Sequence, residues 1–161
     1  MPTNTTQAMD YAGSSAPLLS EILTKVNNAK MKDDKIKVLR DNDSVPLRQI
    51  LKGAFDPKIE WDLPEGTPPY KVNEAPAGTE HTSLLSEARK LYHFVKGGDN
   101  TINRLKKETM FVQMLEGLQQ KDAEVLIAIK NKNLNNVYKG LTASMVKETF
   151  NWNDDFVRIT Q

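Results

Sequence analysis

Apolar residues recur at intervals of three and four through most of this chain, the spacing that gathers them on one face of an α-helix. Leu18, Leu19, Ile22, Leu23 and Val26 follow Pro17, so the pattern predicts a first helix capped by Ser15 and ending or bending near Asn27. A second helix is expected from about Asp33 to Arg40, with Ile36, Val38 and Leu39 inward. Asp41, Asn42 and Asp43 make a turn. Ser44 then caps a third helix whose inner face carries Leu47, Ile50, Leu51, Ala54 and Phe55. Pro57 stops it, because the residue before a proline is pushed out of the helical region.

At that point the period vanishes. Residues 56–82, DPKIEWDLPEGTPPYKVNEAPAGTEHT, hold five of the eight prolines and two of the eight glycines. A loop of that length inside a domain is uncommon, and is usually functional or a linker. Ile59, Trp61, Leu63, Tyr70 and Val72 give it apolar anchors, so the expectation is an extended strap packed across helices.

Helical spacing resumes near Ser83, where Leu84, Leu85, Ala88, Leu91, Tyr92 and Val95 form a stripe closed by Gly97 and Gly98. A longer helix is expected from Asp99 or Thr101 to about Leu118, turning Ile102, Leu105, Phe111, Val112, Met114 and Leu115 inward. Asp122 reads as the cap of the next helix, ahead of Val125, Leu126 and Ile129. Residues 131–140 read as a polar connector, and Thr142 caps a last helix presenting Met145, Val146 and Phe150. The expected fold class is all-α, with six to eight short helices and a long Pro-rich irregular strap. The helices form either one compact domain or two abutting lobes, over 16–55 and 83–150. A flexible arm over 1–15 and a tail over 151–161 complete the chain.

Composition narrows the function classes. A chain of 161 residues buries about two thirds of its unfolded surface and needs no disulfide or metal to hold a core. The absence of cysteine removes thiol nucleophiles, iron–sulfur clusters and cysteine zinc sites. Net charge is +1, and residues 1–60 and 98–161 each carry nine basic and eight acidic groups. Phosphate-driven binding usually shows a basic surplus in at least one module. The apolar run Val125-Leu126-Ile127-Ala128-Ile129 falls far short of the roughly 20 residues that cross a bilayer, so no membrane partner is expected. The first fifteen residues lack the basic and apolar regions of a secretory signal.

Candidate chemistry is sparse. His93 lies within a predicted helix, and His81 follows Glu80 in the strap, a pair too small for the three or four convergent ligands of a metal site. Glu60, Asp62 and Glu65 around Trp61, and Asp154 and Asp155 between Trp152 and Phe156, are the acidic–aromatic clusters. An acid–base pair would need two acids in contrasting environments on one cleft. No GxSxG, HExxH or Gly-Lys-Ser/Thr phosphate loop occurs. The expectation is a non-enzymatic protein with no metal and no cofactor. Its candidate partner-binding residues are Trp61, Leu63, Tyr70, Trp152 and Phe156, aromatic and apolar anchors on irregular segments. For nucleic acid the candidates are Lys35, Lys37, Arg40, Arg48 and Lys52, although Asp33, Asp34, Asp41 and Asp43 are interleaved with them.

Two stretches carry a resemblance. PLRQILKGAFDPKIEWDLPEGTPPYKVNEAPAGTEHTSLLSEARKLYHFVKGG, residues 46–98, resembles a family of small uncharacterised proteins of T4-like tailed phages, of marine cyanophage and related myophage type. FVQMLEGLQQKDAEVLIAIKNKNLNNVYKGLTASMVKETF, residues 111–150, looks like the C-terminal half of the same family, and LPEGTPPY is the most specific element. The resemblance implies a phage protein acting in the cytoplasm of an infected bacterium, or carried in the virion. It assigns no site residues. The expected function is that of an accessory factor binding a host or phage protein, for example in transcription or replication. The alternatives are a nucleic-acid-binding accessory protein and a minor virion component.

Overall fold

Several helix starts fall where a side chain can accept the first free backbone N–H groups. The structure, a computed structural model, describes residues 17–76 and 82–159. The arm over 1–15, its Ser15 cap and His81 lie outside them. Helix α1 spans Leu19–Asn28, with Glu21 folding back to accept the Leu18 N–H at 2.7 Å. Helix α2 spans Lys32–Asp41. Helix α3 spans Val45–Phe55, and the Ser44 hydroxyl accepts the Leu47 N–H at 3.1 Å. Helix α4, Leu84–Glu87, runs directly into a 3₁₀ helix, Ala88–Phe94. Helix α5 spans Arg104–Gly117, α6 Gln120–Lys130, α7 Leu134–Val137 and α8 Ala143–Phe150, the last capped by Thr142. No strand occurs among the described residues, only three isolated β-bridges, so the fold is all-α.

Four expectations are corrected. The helix after the strap tightens to three residues per turn at Ala88, so positions three apart share a face. Ala88, Leu91 and Phe94 therefore point inward, Phe94 is 1 % exposed, and Tyr92 turns outward at 52 %. Helix α5 begins later than expected, capped by Asn103 through the Lys106 N–H at 2.8 Å, and Leu105 lies outward at 72 % exposure. Asp122 does not cap its own helix, because Gln119 does so through the Lys121 N–H. The polar connector over 131–140 contains the single turn α7.

One core joins the regions expected as lobes. Leu19, Leu23 and Val26 of α1, Ile50 and Leu51 of α3, Leu115 of α5, Leu126 and Ile129 of α6, and Val146 of α8 belong to one buried cluster. Helix α2 packs on both α1 and α8, and α6 packs on α1, α3, α4, α5 and α7. Asp122, fully buried, accepts the Ser20 N–H at 3.0 Å and the Leu84 N–H at 3.4 Å. One carboxylate thus serves the first turns of α1 and α4 together.

Within the described part of the irregular segment, residues 62–71 are tied to the helices at several points. Asp62 meets the buried Lys107 ammonium at 2.9 Å, and the Lys71 N–H donates to Glu116 at 2.8 Å. Between those ties the segment and α5 advance by the same nine residues. Nine helical residues rise about 13 Å, whereas nine in polyproline conformation span about 28 Å. The excess length bows outward through Gly66, whose φ of +87° suits glycine alone. Lys130 holds the bow, its ammonium donating to the Pro64 and Gly66 carbonyls at 2.8 and 2.6 Å and to the Asn131 side-chain oxygen at 2.5 Å. A cavity of about 390 Å³, lined by Leu63, Pro68, Pro69, Leu105 and Val112 among others, lies between the bow and α5.

Candidate functional site

One candidate site lies where the start of the strap meets α3. Residues 60–62 pair with residues 94–96 through a short antiparallel bridge, with Asp62 N–H donating to the Phe94 carbonyl at 2.7 Å and Lys96 N–H to the Glu60 carbonyl at 2.8 Å. That bridge fixes Trp61 against α3. Its indole N–H donates to the Gly53 carbonyl at 3.1 Å. Gly53 eases the approach, since a Cβ there would sit a tight 3.2 Å from the Trp61 ring. The Gly53 carbonyl also accepts from the Lys132 ammonium at 2.7 Å, as does the Asp56 carbonyl at 2.8 Å, so a cation closes the C-terminal end of α3.

Above Trp61 opens a cleft of about 310 Å³ between α3 and the 3₁₀ helix. Ile50, Ile59, Leu91 and Val95 give it an apolar interior. Lys52 projects from the α3 wall and Arg89 from the 3₁₀ wall, and none of the described residues lining the cleft is acidic. Among the described residues neither Lys52 nor Arg89 has an acidic partner, whereas Lys37, Arg48, Lys90 and Lys96 each pair with an Asp or Glu. Tyr92 forms part of the rim, its ring 4.1 Å from that of His93. His93 Nδ1 is in turn 2.7 Å from Asp99 Oδ2. Hydrogen bonds from the Thr101 hydroxyl and N–H, then from His93, hold the Asp99 carboxyl down at about 2. The chain Asp99–His93–Tyr92 sets the orientation of the exposed ring.

The candidate residues from the sequence part company here. Of the partner-binding set, Trp61 floors the cleft. Leu63 and Phe156 are buried in the chain, and Tyr70 is half-buried, its phenol pushed up by burial and the Glu124 carboxylate. Trp152 packs between Phe150 and Phe156, with ring centroids 4.9 and 6.0 Å away. Of the basic set, Lys35 turns its ammonium to the last carbonyls of α1, those of Val26, Asn27 and Ala29. Arg40 donates to the Thr149 carbonyl at 3.1 Å, at the end of α8. Lys37 pairs with Asp41, and Arg48 forks onto Asp43 at 2.8 and 2.6 Å while lying over the Phe150 ring. Lys52 alone of that set enters the cleft. Arg89 and Tyr92 were missed, because an α-helical period places Tyr92 inward and Arg89 on an unremarkable outer face.

Among the described residues no group of three or more His, Asp or Glu could hold a metal ion, and no helix is long and apolar enough to cross a membrane. Burial lowers the affinity of the Lys130 and Lys132 ammonium groups for their protons, opposed by the Glu65 carboxylate at Lys130 and the Asp56 carboxylate at Lys132. Both groups secure backbone. Compared with known proteins, residues 22–136 match the model of a family described as "Family of unknown function (DUF6433)". No curated protein and no solved structure matches the chain.

Proposed function

For this chain, which belongs to the DUF6433 family over well more than half its length, we propose a non-enzymatic role: a phage accessory protein that binds another protein, of host or phage, during infection. The observation that carries this is the cleft over Trp61, an apolar hollow with an exposed aromatic rim and two cations without an acidic partner among the described residues. Buried apolar surface beside uncompensated charge is the composition of a docking site. The buried ionisable groups support the same reading, because Asp122, Lys107 and Lys130 each serve a bond that holds the fold. The phage setting rests on the resemblance of residues 46–98 and 111–150, and the localisation proposed with it is the host cytoplasm during infection, or the particle.

Affinity purification of the tagged protein from infected cells tests the proposal. The expected result is a second protein recovered in near-stoichiometric amount at about 0.15 M salt and retained after nuclease treatment. Recovery of the tagged chain alone, or of nucleic acid whose removal releases everything else, overturns it. A nucleic-acid role would instead show DNA affinity falling steeply with salt.

A further inference from the structure

We propose that the cleft between α3 and the 3₁₀ helix receives an acidic linear segment of a partner protein. One large apolar side chain of the segment enters over Trp61, and carboxylates on either side of it meet Lys52 and Arg89. The proposal rests on the protein-binding role above and names the chemistry of the partner at that site.

Three features fix the occupant. The hollow is about 310 Å³, at the small end of ligand pockets, and is lined mainly by Ile50, Ile59, Leu91 and Val95, so it accepts an apolar group. Its two cations stand on opposite walls and lack acids among the described residues, so the flanks of the incoming segment are anionic. The walls are also firmly held. Trp61 is fixed by its bond to Gly53 and by the bridge to Val95, and Tyr92 is backed by the His93–Asp99 pair. A preorganised cleft orders few of its own side chains on binding, which favours a short segment of modest size.

A nucleic acid strand fits less well. Single strands bind along a basic groove with successive free aromatic faces. Here one side of Tyr92 is covered by His93, the Trp61 ring lies against Gly53, and Lys35, Lys37, Arg40 and Arg48 are committed to acceptors within the chain.

The test uses the full chain carrying Trp152→Phe, which leaves Trp61 as the single tryptophan reporter. The probe is a synthetic peptide of about ten residues with a central leucine–phenylalanine pair, flanked by aspartate and glutamate. Saturable binding is expected, with a change in tryptophan emission. The double substitution Lys52→Glu with Arg89→Glu should weaken it at least about tenfold, the loss of two charge contacts. A peptide with lysine in place of every acid should then bind the doubly substituted chain better than it binds the parent. That exchange of preference is not produced by misfolding, and circular dichroism melts of both proteins check the fold directly.

No saturable binding of the acidic peptide to the parent overturns the proposal. So does equal binding to both proteins, or displacement of the peptide by an oligothymidylate that binds more tightly. Any of these would leave the wider protein-binding role to be decided by the purification from infected cells, so the two failures are distinguishable.

Discussion

Asp122 supplies one side chain to two helix starts, and the bonds it makes are buried from water. Asp122→Ala should cost about 3 kcal/mol, since it orphans two backbone N–H groups that had a charged acceptor. Urea denaturation followed by circular dichroism measures that loss, and Asp122→Asn should retain part of it. Asp99 acts through pH. Its folded pKa of about 2 lies below the ordinary value near 3.9, so its contribution to stability is complete above that ordinary value. The contribution disappears as pH falls through about 2. The urea midpoint of the parent should therefore drop between pH 5 and pH 2 by more than that of Asp99→Asn. Both aspartates were visible in the sequence as helix-start residues, but their roles were not. An aspartate near a helix start has the right chemistry for a cap, and only tertiary packing decides whose N–H groups it meets. Asp122 caps α1 and α4 from α6, while Asp99 closes a turn on Thr101 ahead of a helix that Asn103 caps.

At the scale of elements, Ser44 and Thr142 signalled helix starts correctly because their bonds are local, reaching only three residues on. The 3₁₀ helix defeated the periodic reading for a definite reason. Leu84, Ala88 and Leu91 fit either period, and the choice falls on whether Tyr92 or Phe94 comes next into the core. Phe94 meets Phe111 edge-on at 5.4 Å, a contact made with α5 and therefore invisible within the segment. The turn after it is equally constrained, since a Cβ on Gly98 would lie 2.1 Å from the Tyr92 carbonyl oxygen. Gly98→Ala must displace backbone and should lower the unfolding midpoint by several degrees, as a loss of about 2 kcal/mol does in a chain of this size. The bow of the strap depends on Lys130 in the same specific way. Lys130→Met removes the ammonium donor from the Pro64 and Gly66 carbonyls, leaving Gly66 only the longer bond from the Asn131 amide at 3.4 Å, and hydrogen exchange should rise at the backbone of 65–67 before it rises in α6.

Over the whole molecule, balanced charge and a single core describe the chain better than any one motif. The all-α class could be read from spacing alone, because α1, α3 and α8 carry clear apolar stripes. The joining of the two halves could not, since it depends on which stripes face each other. Calorimetry should show one transition, with calorimetric and van't Hoff enthalpies agreeing, because α2 packs on α8 and α6 packs on α1 and α3. Two resolved transitions would mean separate lobes. The shared carboxylate of Asp122 also has a temporal consequence. Ser20 leaves the ribosome 102 residues before its acceptor, and Arg40 leaves 109 residues before the Thr149 carbonyl it holds. At roughly 5–20 residues per second, the first two helices wait some 5–20 s for the groups that complete them. The N-terminal third is thus made early and finished late, and in a cell producing the chain in quantity that interval is when its apolar faces are most open to chaperones and proteases.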